Sequence, residues 1–309
     1  RGDSAGALAV MQQVISRAEQ SARAQGMLGE AARREGQTTL ATEAFDRALA
    51  LDARQPLALL GKVYLALDAA EPTEADAALT RAREQGAVGR ALATVLEGRV
   101  QVAQGLGARA ARTLARSVRR TRDAALLTDY GWALAQSEDD RGAIRQFERA
   151  IEIDGGLVEA YLGLALSRTR RGDLGGASQA IGEAEGLVQR RSLGARYEAR
   201  LLAARGRVLY ENGSFDEAEA KAREALAKDA TCAAAHYVLA IVADARGGSP
   251  VEHLRAALGA RAPLPEVMGQ LVLFDGRADD VCDLARRYLE AAPRGLDARD
   301  ARSTARRCR

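Results

Sequence analysis

Residues 126–154 read "LLTDYGWALAQSEDDRGAIRQFERAIEID". Leu127, Tyr130, Gly131 and Leu134 fall at i, i+3, i+4 and i+7, a polar turn intervenes, and Ala143, Phe147 and Ala150 then resume the same rhythm. Apolar residues at that spacing share one face of a helix. The stretch predicts two short antiparallel helices joined by a tight turn.

The following residues repeat the scheme about 34 positions on, with Tyr161, Leu164 and Ala165, a turn at Gly172, and then Ala177, Ile181 and Ala184. In "MLGEAARREGQTTLATEAFDRALALD" the equivalent residues are Gly29, Ala32, Gly36, Ala41, Phe45 and Ala48. In "RGRVLYENGSFDEAEAKAREALAKD" they are Gly206, Leu209, Gly213, Ala218, Ala222 and Ala225. Over nearly the whole chain this pattern resembles the tetratricopeptide repeat (TPR) family, in which a small residue stands where the paired helices cross. A larger side chain there would push the helices apart and open a void. The resemblance implies an all-α fold, a right-handed superhelical solenoid of antiparallel helix pairs.

First helices are expected to begin near residues 22, 55, 90, 124, 158, 199, 233 and 262. The long step after 158 predicts an extended helix or loop, and the short step after 233 a crowded turn ending at Pro250. Three segments follow: 1–21 as the second helix of a truncated repeat, 22–294 as about eight helix pairs, and 295–309 as a polar capping helix or tail. A terminal repeat needs such a cap to cover its last apolar face. In 1–21, Gly2 would sit in a turn and Ala7, Met11 and Val14 on the packed face. The expectation is therefore either a fragment of a longer array or a chain whose first segment rests on a neighbouring molecule, which would allow self-association. Arg1, Gly2 and Asp3 recur as Arg171, Gly172 and Asp173. We read that tripeptide as the turn of a repeat and not as an integrin ligand.

Composition supports a helical chain: 47% of residues are hydrophobic, only 4% are aromatic, and there are 6 prolines. The scarcity of lysine, confined to Lys62, Lys221 and Lys228, beside abundant arginine, alanine and glycine points to a GC-rich bacterial genome. The net charge of +3 gives no general attraction to nucleic acid or to an anionic membrane. No window approaches the roughly 20 apolar residues that span a bilayer. Cys232, Cys282 and Cys308 have no metal-ligand spacing, and free thiols are favoured over a Cys282–Cys308 bridge, which would require export. The cytoplasm is favoured over the periplasm.

No catalytic residue, metal or cofactor site is predicted. His236 and His253 are the only histidines and belong to different helices, and no zinc, phosphate-loop or dinucleotide signature is present. Asp139 and Asp140 stand where acidic residues cap a following helix.

In the TPR family the first helices line a concave face. The resemblance places Trp132, Leu166, Arg207 and Ile241 at one groove position of successive units, and Leu162 and Tyr237 one turn earlier. Arg170 and Tyr210 follow one turn later, giving an apolar strip flanked by guanidinium groups, which suits a partner peptide, helix or folded surface. A second candidate is the stretch "ARAARTLARSVRRTRD", where Arg109, Arg112, Arg116, Arg119 and Arg120 have helical spacing and could meet an acidic partner. The absence of an aromatic platform beside them disfavours nucleic acid. The Lys, Asn and Arg clamp with which some relatives hold chaperone tails is not matched. The resemblance implies a non-catalytic scaffold in a bacterial assembly of the secretion, pilus, motility or envelope kind, or one that binds a small GTPase. The alternative is a regulatory or targeting segment of a larger enzyme.

Overall fold

The computed structural model describes residues 4–15, 18–259, 265–276 and 278–308. Among them are eighteen α-helices and no strand. The proposed turn at Arg1–Asp3 lies outside the described residues. Two compact units are formed, residues 1–103 and 104–309.

The first unit contains α1 (Ser4–Ile15), α2 (Ala22–Arg34), α3 (Thr38–Leu51), α4 (Pro56–Asp68), α5 (Pro72–Glu84) and α6 (Arg90–Ala103). Helices α2 and α3 pair, as do α4 and α5, and α2 also packs against α4. Local chemistry sets the helix ends. The Ser21 hydroxyl accepts from the Ala24 amide, satisfying one of the donors left free at a helix start, and Gly36 turns the chain with φ of 72°. On α1 the residues packed inward are Leu8 and Met11. Val14 is exposed and so is Ala7, so the stripe expected from Ala7, Met11 and Val14 is rotated.

The second unit runs from α7 (Gly107–Leu114), α8 (Ala124–Gln136) and α9 (Asp140–Ile153) to α10 (Val158–Arg170) and α11 (Leu174–Arg191). It continues with α12 (Ala195–Glu211), α13 (Phe215–Lys228), α14 (Ala233–Ala245), α15 (Val251–Leu258) and α16 (Pro265–Phe274), and ends in α17 (Val281–Ala291) and α18 (Ala298–Arg307). The long repeat is shared between α11 and α12, of 18 and 17 residues, and the short one falls on α15, of 8. Asp173 accepts from the Gly176 amide to start α11, just after Gly172 reverses the chain with φ of 79°.

Each unit contains the same wedge. The buried ring of Phe45 on α3 lies between Gly29 on α2 and Gly61 on α4. A Cβ at Gly29 would stand 2.5 Å from the ring, and one at Gly61 closer still. Phe147 on α9 sits in the same way between Gly131 on α8 and Gly163 on α10. All three residues recur at a shift of 102 positions, three periods of 34. The ring thus binds a helix pair to the first helix of the next.

In the second unit the last helices return to the first. Helix α17 packs against α7, and Tyr288 at its end donates to Glu138 Oε1 at 2.8 Å. The Leu296 amide donates to Glu138 Oε2 at 2.8 Å. Glu138 occupies the turn before α9 with φ of 61°, and both of its carboxylate oxygens are engaged by these two bonds. Helix α18 covers the terminal core through Ala298, Ala301 and Thr304. Its single helical face is small, and it is tied to α17 by a disulfide between Cys282 and Cys308, whose Cα atoms are 5.9 Å apart. The expectation of free thiols at these two positions is corrected: packing α18 on α17 brings them together. Cys232 is free and buried, and burial pushes its thiol up.

Candidate protein-interaction surface

Helices α8, α10, α12 and α14 pack in succession, α8 on α10, α10 on α12 and α12 on α14. The candidate strip lies on these four helices. Trp132 is half-buried and meets Phe147 edge-on, with ring centroids 5.7 Å apart. Leu166, at the matching position of α10, is half-buried as well. Tyr210 keeps part of its surface and tilts against Phe215 at 5.5 Å.

The other members of the strip are engaged within the chain. Leu162, Tyr237 and Ile241 are buried. Tyr237 and Ile241 belong to the terminal core with Met268 and Leu271, because α16 packs where an open groove was expected. The Tyr237 hydroxyl accepts from Gln270 at 3.1 Å, and burial, with Glu266 near, pushes its ionisation up to about 12. The Arg207 guanidinium lies 4.9 Å from the centre of the Tyr237 ring and 6.0 Å from that of Tyr210, an arrangement favourable to a cation. It also bonds Glu211 Oε1 at 2.9 Å.

Arg170 is the centre of an interior ion cluster. It reaches Glu266 Oε2 at 2.9 Å, Asp140 Oδ1 at 3.1 Å and the Ala135 carbonyl at 3.0 Å. The side chains of Arg170, Asp140 and Glu266 are only 12, 15 and 13% exposed. Burial works against the Arg170 charge, but Glu266 and Asp140 outweigh it and hold the group more firmly protonated. Burial pushes the Asp140 carboxyl up, with Arg170 opposing and Glu266 adding to the rise. The capping expectation therefore divides: Asp139 caps α9 by accepting from the Gly142 amide, whereas Asp140 is an interior ion-pair partner. Sequence reasoning missed Glu266, Glu138, Tyr288 and Asp297 altogether, since their partners are reached only through the tertiary fold.

The arginine stretch is not one helical face. Helix α7 ends at Leu114, and residues 115–120 form turns. Arg109, Arg112, Arg116, Arg119 and Arg120 are all exposed. Arg109 stands 3.7 Å from Glu290, while Arg116, Arg119 and Arg120, with Ser117 and Thr121, line an open depression of about 460 Å³. His236 and His253 stack at 6.3 Å, with His236 Nε2 3.2 Å from the Ala230 carbonyl. No cluster of three or more potential metal ligands occurs among the described residues. No described helix is long and apolar enough to cross a membrane.

Residues 1–56 and 203–265 match the tetratricopeptide repeat family model. Those two stretches are similar to tetratricopeptide repeats, and the helix pairs between them pack in the same succession. Among solved structures it is similar to YrrB, described as a TPR protein with an unusual peptide-binding site, at 19% identity over 57% of this chain and 91% of that one, with a TM-score of 0.39. It is similar to PilF of Pseudomonas aeruginosa at 18% identity, over 71% and 97% of the two chains, with a TM-score of 0.48. The human IFIT1 dimer with PPP-AAAA gives 13% identity over 93% and 72%, with a TM-score of 0.48. No curated protein sequence matches the chain.

Proposed function

We propose that the chain is a non-catalytic scaffold that receives a segment of another protein on the inner face of α8, α10 and α12, within a bacterial multiprotein assembly. The supporting observation is that Trp132 and Leu166, at matching positions of successive first helices, both retain solvent-facing surface while their neighbours are packed. Trp132 and Leu166 would supply apolar contact and Tyr210 a polar tip. Arg170 and Arg207 fix the wall beside them. Leu162 is buried on α10, and Tyr237 and Ile241, taken into the terminal core, are withdrawn from the surface. Burying an indole and a leucine side chain contributes several kcal/mol, at about 25 cal/mol per Å² of apolar area.

The disulfide supports work in an oxidising compartment, because such bonds are rare in reducing cytosol. This proposal differs from the cytoplasmic expectation drawn from the sequence. Acid-quenched thiol labelling of the protein from its source cells would leave Cys282 and Cys308 unmodified; labelling of both would refute export.

Affinity capture with the wild type and with Trp132→Ala, Leu166→Ala tests the binding surface, after circular dichroism has shown equal helicity. The expected outcome is one protein retained by the wild type and lost by the double variant. Equal retention would remove the inner face from consideration.

A further inference from the structure

Residues 104–123 hold six arginines, at 109, 112, 116, 119, 120 and 122, against the single acidic residue Asp123. The local excess of five positive charges is larger than the excess of three carried by the whole chain, so the remainder is slightly acidic. Balanced overall charge conceals this concentration.

Some arginines elsewhere on the surface are compensated and others, such as Arg47 and Arg141, stand apart from any carboxylate of the described residues, but they are not gathered at one place. Arg34, Arg83, Arg205, Arg223, Arg246 and Arg287 each have a carboxylate at ion-pair distance. Arg112, Arg116, Arg119, Arg120 and Arg122 form no ion pair with a described residue and are exposed. Because α7 stops at Leu114, the turns at 115–120 gather Arg116, Arg119 and Arg120 around one depression instead of spacing them along a helix. Ser117 and Thr121 add hydroxyl groups to its lining. Val118, the apolar residue between them, is buried and props the turn from below.

We propose that this depression is a docking site for an acidic segment of a partner protein, whose consecutive carboxylates or phosphorylated side chains are held by the Arg116, Arg119 and Arg120 guanidinium groups. Forked guanidinium donors match carboxylate and phosphate oxygens in pairs. Mutual repulsion among the three cations is relieved only when an anion arrives, so the gain belongs to the complex. Residues 104–123 contain no aromatic side chain on which bases could stack, which disfavours single-stranded nucleic acid. They also expose no large apolar side chain that could enter a lipid surface. This site is separate from the inner-face surface proposed above and does not depend on it.

The test is fluorescence anisotropy with a labelled octa-glutamate peptide and with the same peptide carrying two phosphoserines, at low and high salt. Binding that weakens as salt rises is expected, because exposed charges are screened. The Arg116→Glu, Arg119→Glu, Arg120→Glu variant should bind at least about tenfold more weakly, equivalent to about 1.4 kcal/mol. The corresponding triple glutamine variant should fall between it and the wild type. Trp132→Ala, Leu166→Ala should bind the peptides like the wild type, which separates this site from the other. The proposal is overturned if neither peptide binds at low salt, if charge reversal leaves binding unchanged, or if oligouridylate or a phosphatidylserine vesicle binds the depression more tightly than the peptides do.

Discussion

The Phe45 wedge in residues 1–103 and the Phe147 wedge in residues 104–309 are built alike, but the polar groups on their neighbouring first helices are used differently. In the first unit Arg33 bonds Glu30 on its own helix and Asp68 on α4, and its guanidinium lies 5.1 Å from the centre of the Tyr64 ring. Asp68 remains 57% exposed. In the second unit Arg170 joins Asp140 to Glu266, a residue 96 positions later, and all three are nearly sealed from water. The repeat pattern dictates how a helix pair is packed. Residues outside the pattern decide whether the surface beside it stays wet or is closed by the chain itself.

The largest expected effect tests the shared part. Phe45→Ala and Phe147→Ala each remove a fully buried ring and should each cost about 3–5 kcal/mol. Denaturant unfolding would measure both. Losses differing by more than about 2 kcal/mol would show that the wedges are equivalent in shape but not in energy.

The next effect tests the difference. Arg170→Met strands Asp140 and Glu266 without a cation in a nearly dry site and should cost about 3 kcal/mol, since breaking a buried pair leaves an uncompensated charge. Arg33→Met leaves Glu30 paired with Arg34 and Asp68 in a largely exposed position, and should cost about 1 kcal/mol. Glu266→Gln introduced beside Arg170→Met should recover part of the larger loss. Equal costs at the two arginines would mean that the interior cluster is effectively solvated.

The smallest effect is a response to pH of opposite sign in the two units. Burial, with repulsion from Glu138, Asp300 and Glu266, pushes Asp297 up to about 6. An unfolded aspartate titrates near 3.9. Its contribution is therefore fully present below about pH 4 and lost as pH rises through 6. Glu30 behaves in reverse: burial opposes its charge, but Arg33 and Arg34 hold it below the ordinary value of 4.5, so its contribution is lost on acidification below that value. Amide exchange in α16–α18 should become faster between pH 4 and 6.5, after correction for intrinsic rates, and Asp297→Asn should flatten that trend. An unchanged trend in the variant would assign it to another group.

The helix pairs were legible because their signal is local: small residues at crossings, a ring on the second helix, and glycine where the turn requires positive φ. Gly172 and Asp173 illustrate this, each doing in the structure what its residue type favours. The surface was legible only in part. Trp132 and Leu166 could be placed on one face by counting, but the fate of Tyr237 and Ile241 depended on α16, whose approach leaves no periodic trace. Asp140 looked like a cap because capping is decided within four residues, whereas its pairing with Arg170 is decided thirty residues away. The disulfide was equally hidden, since the 26 positions between Cys282 and Cys308 say nothing about which helix faces meet.

The wedge also sets where the chain can be cut. Because Phe147 needs Gly131 on one side and Gly163 on the other, a fragment ending in the loop between α9 and α10 would carry a bare aromatic face into solution. The smallest excisable block is therefore not one repeat but a repeat together with the helix that follows it. Fragments and chimaeras divided after α4 or α10 would keep each ring between both its glycines, and those divided one helix earlier would be prone to aggregate.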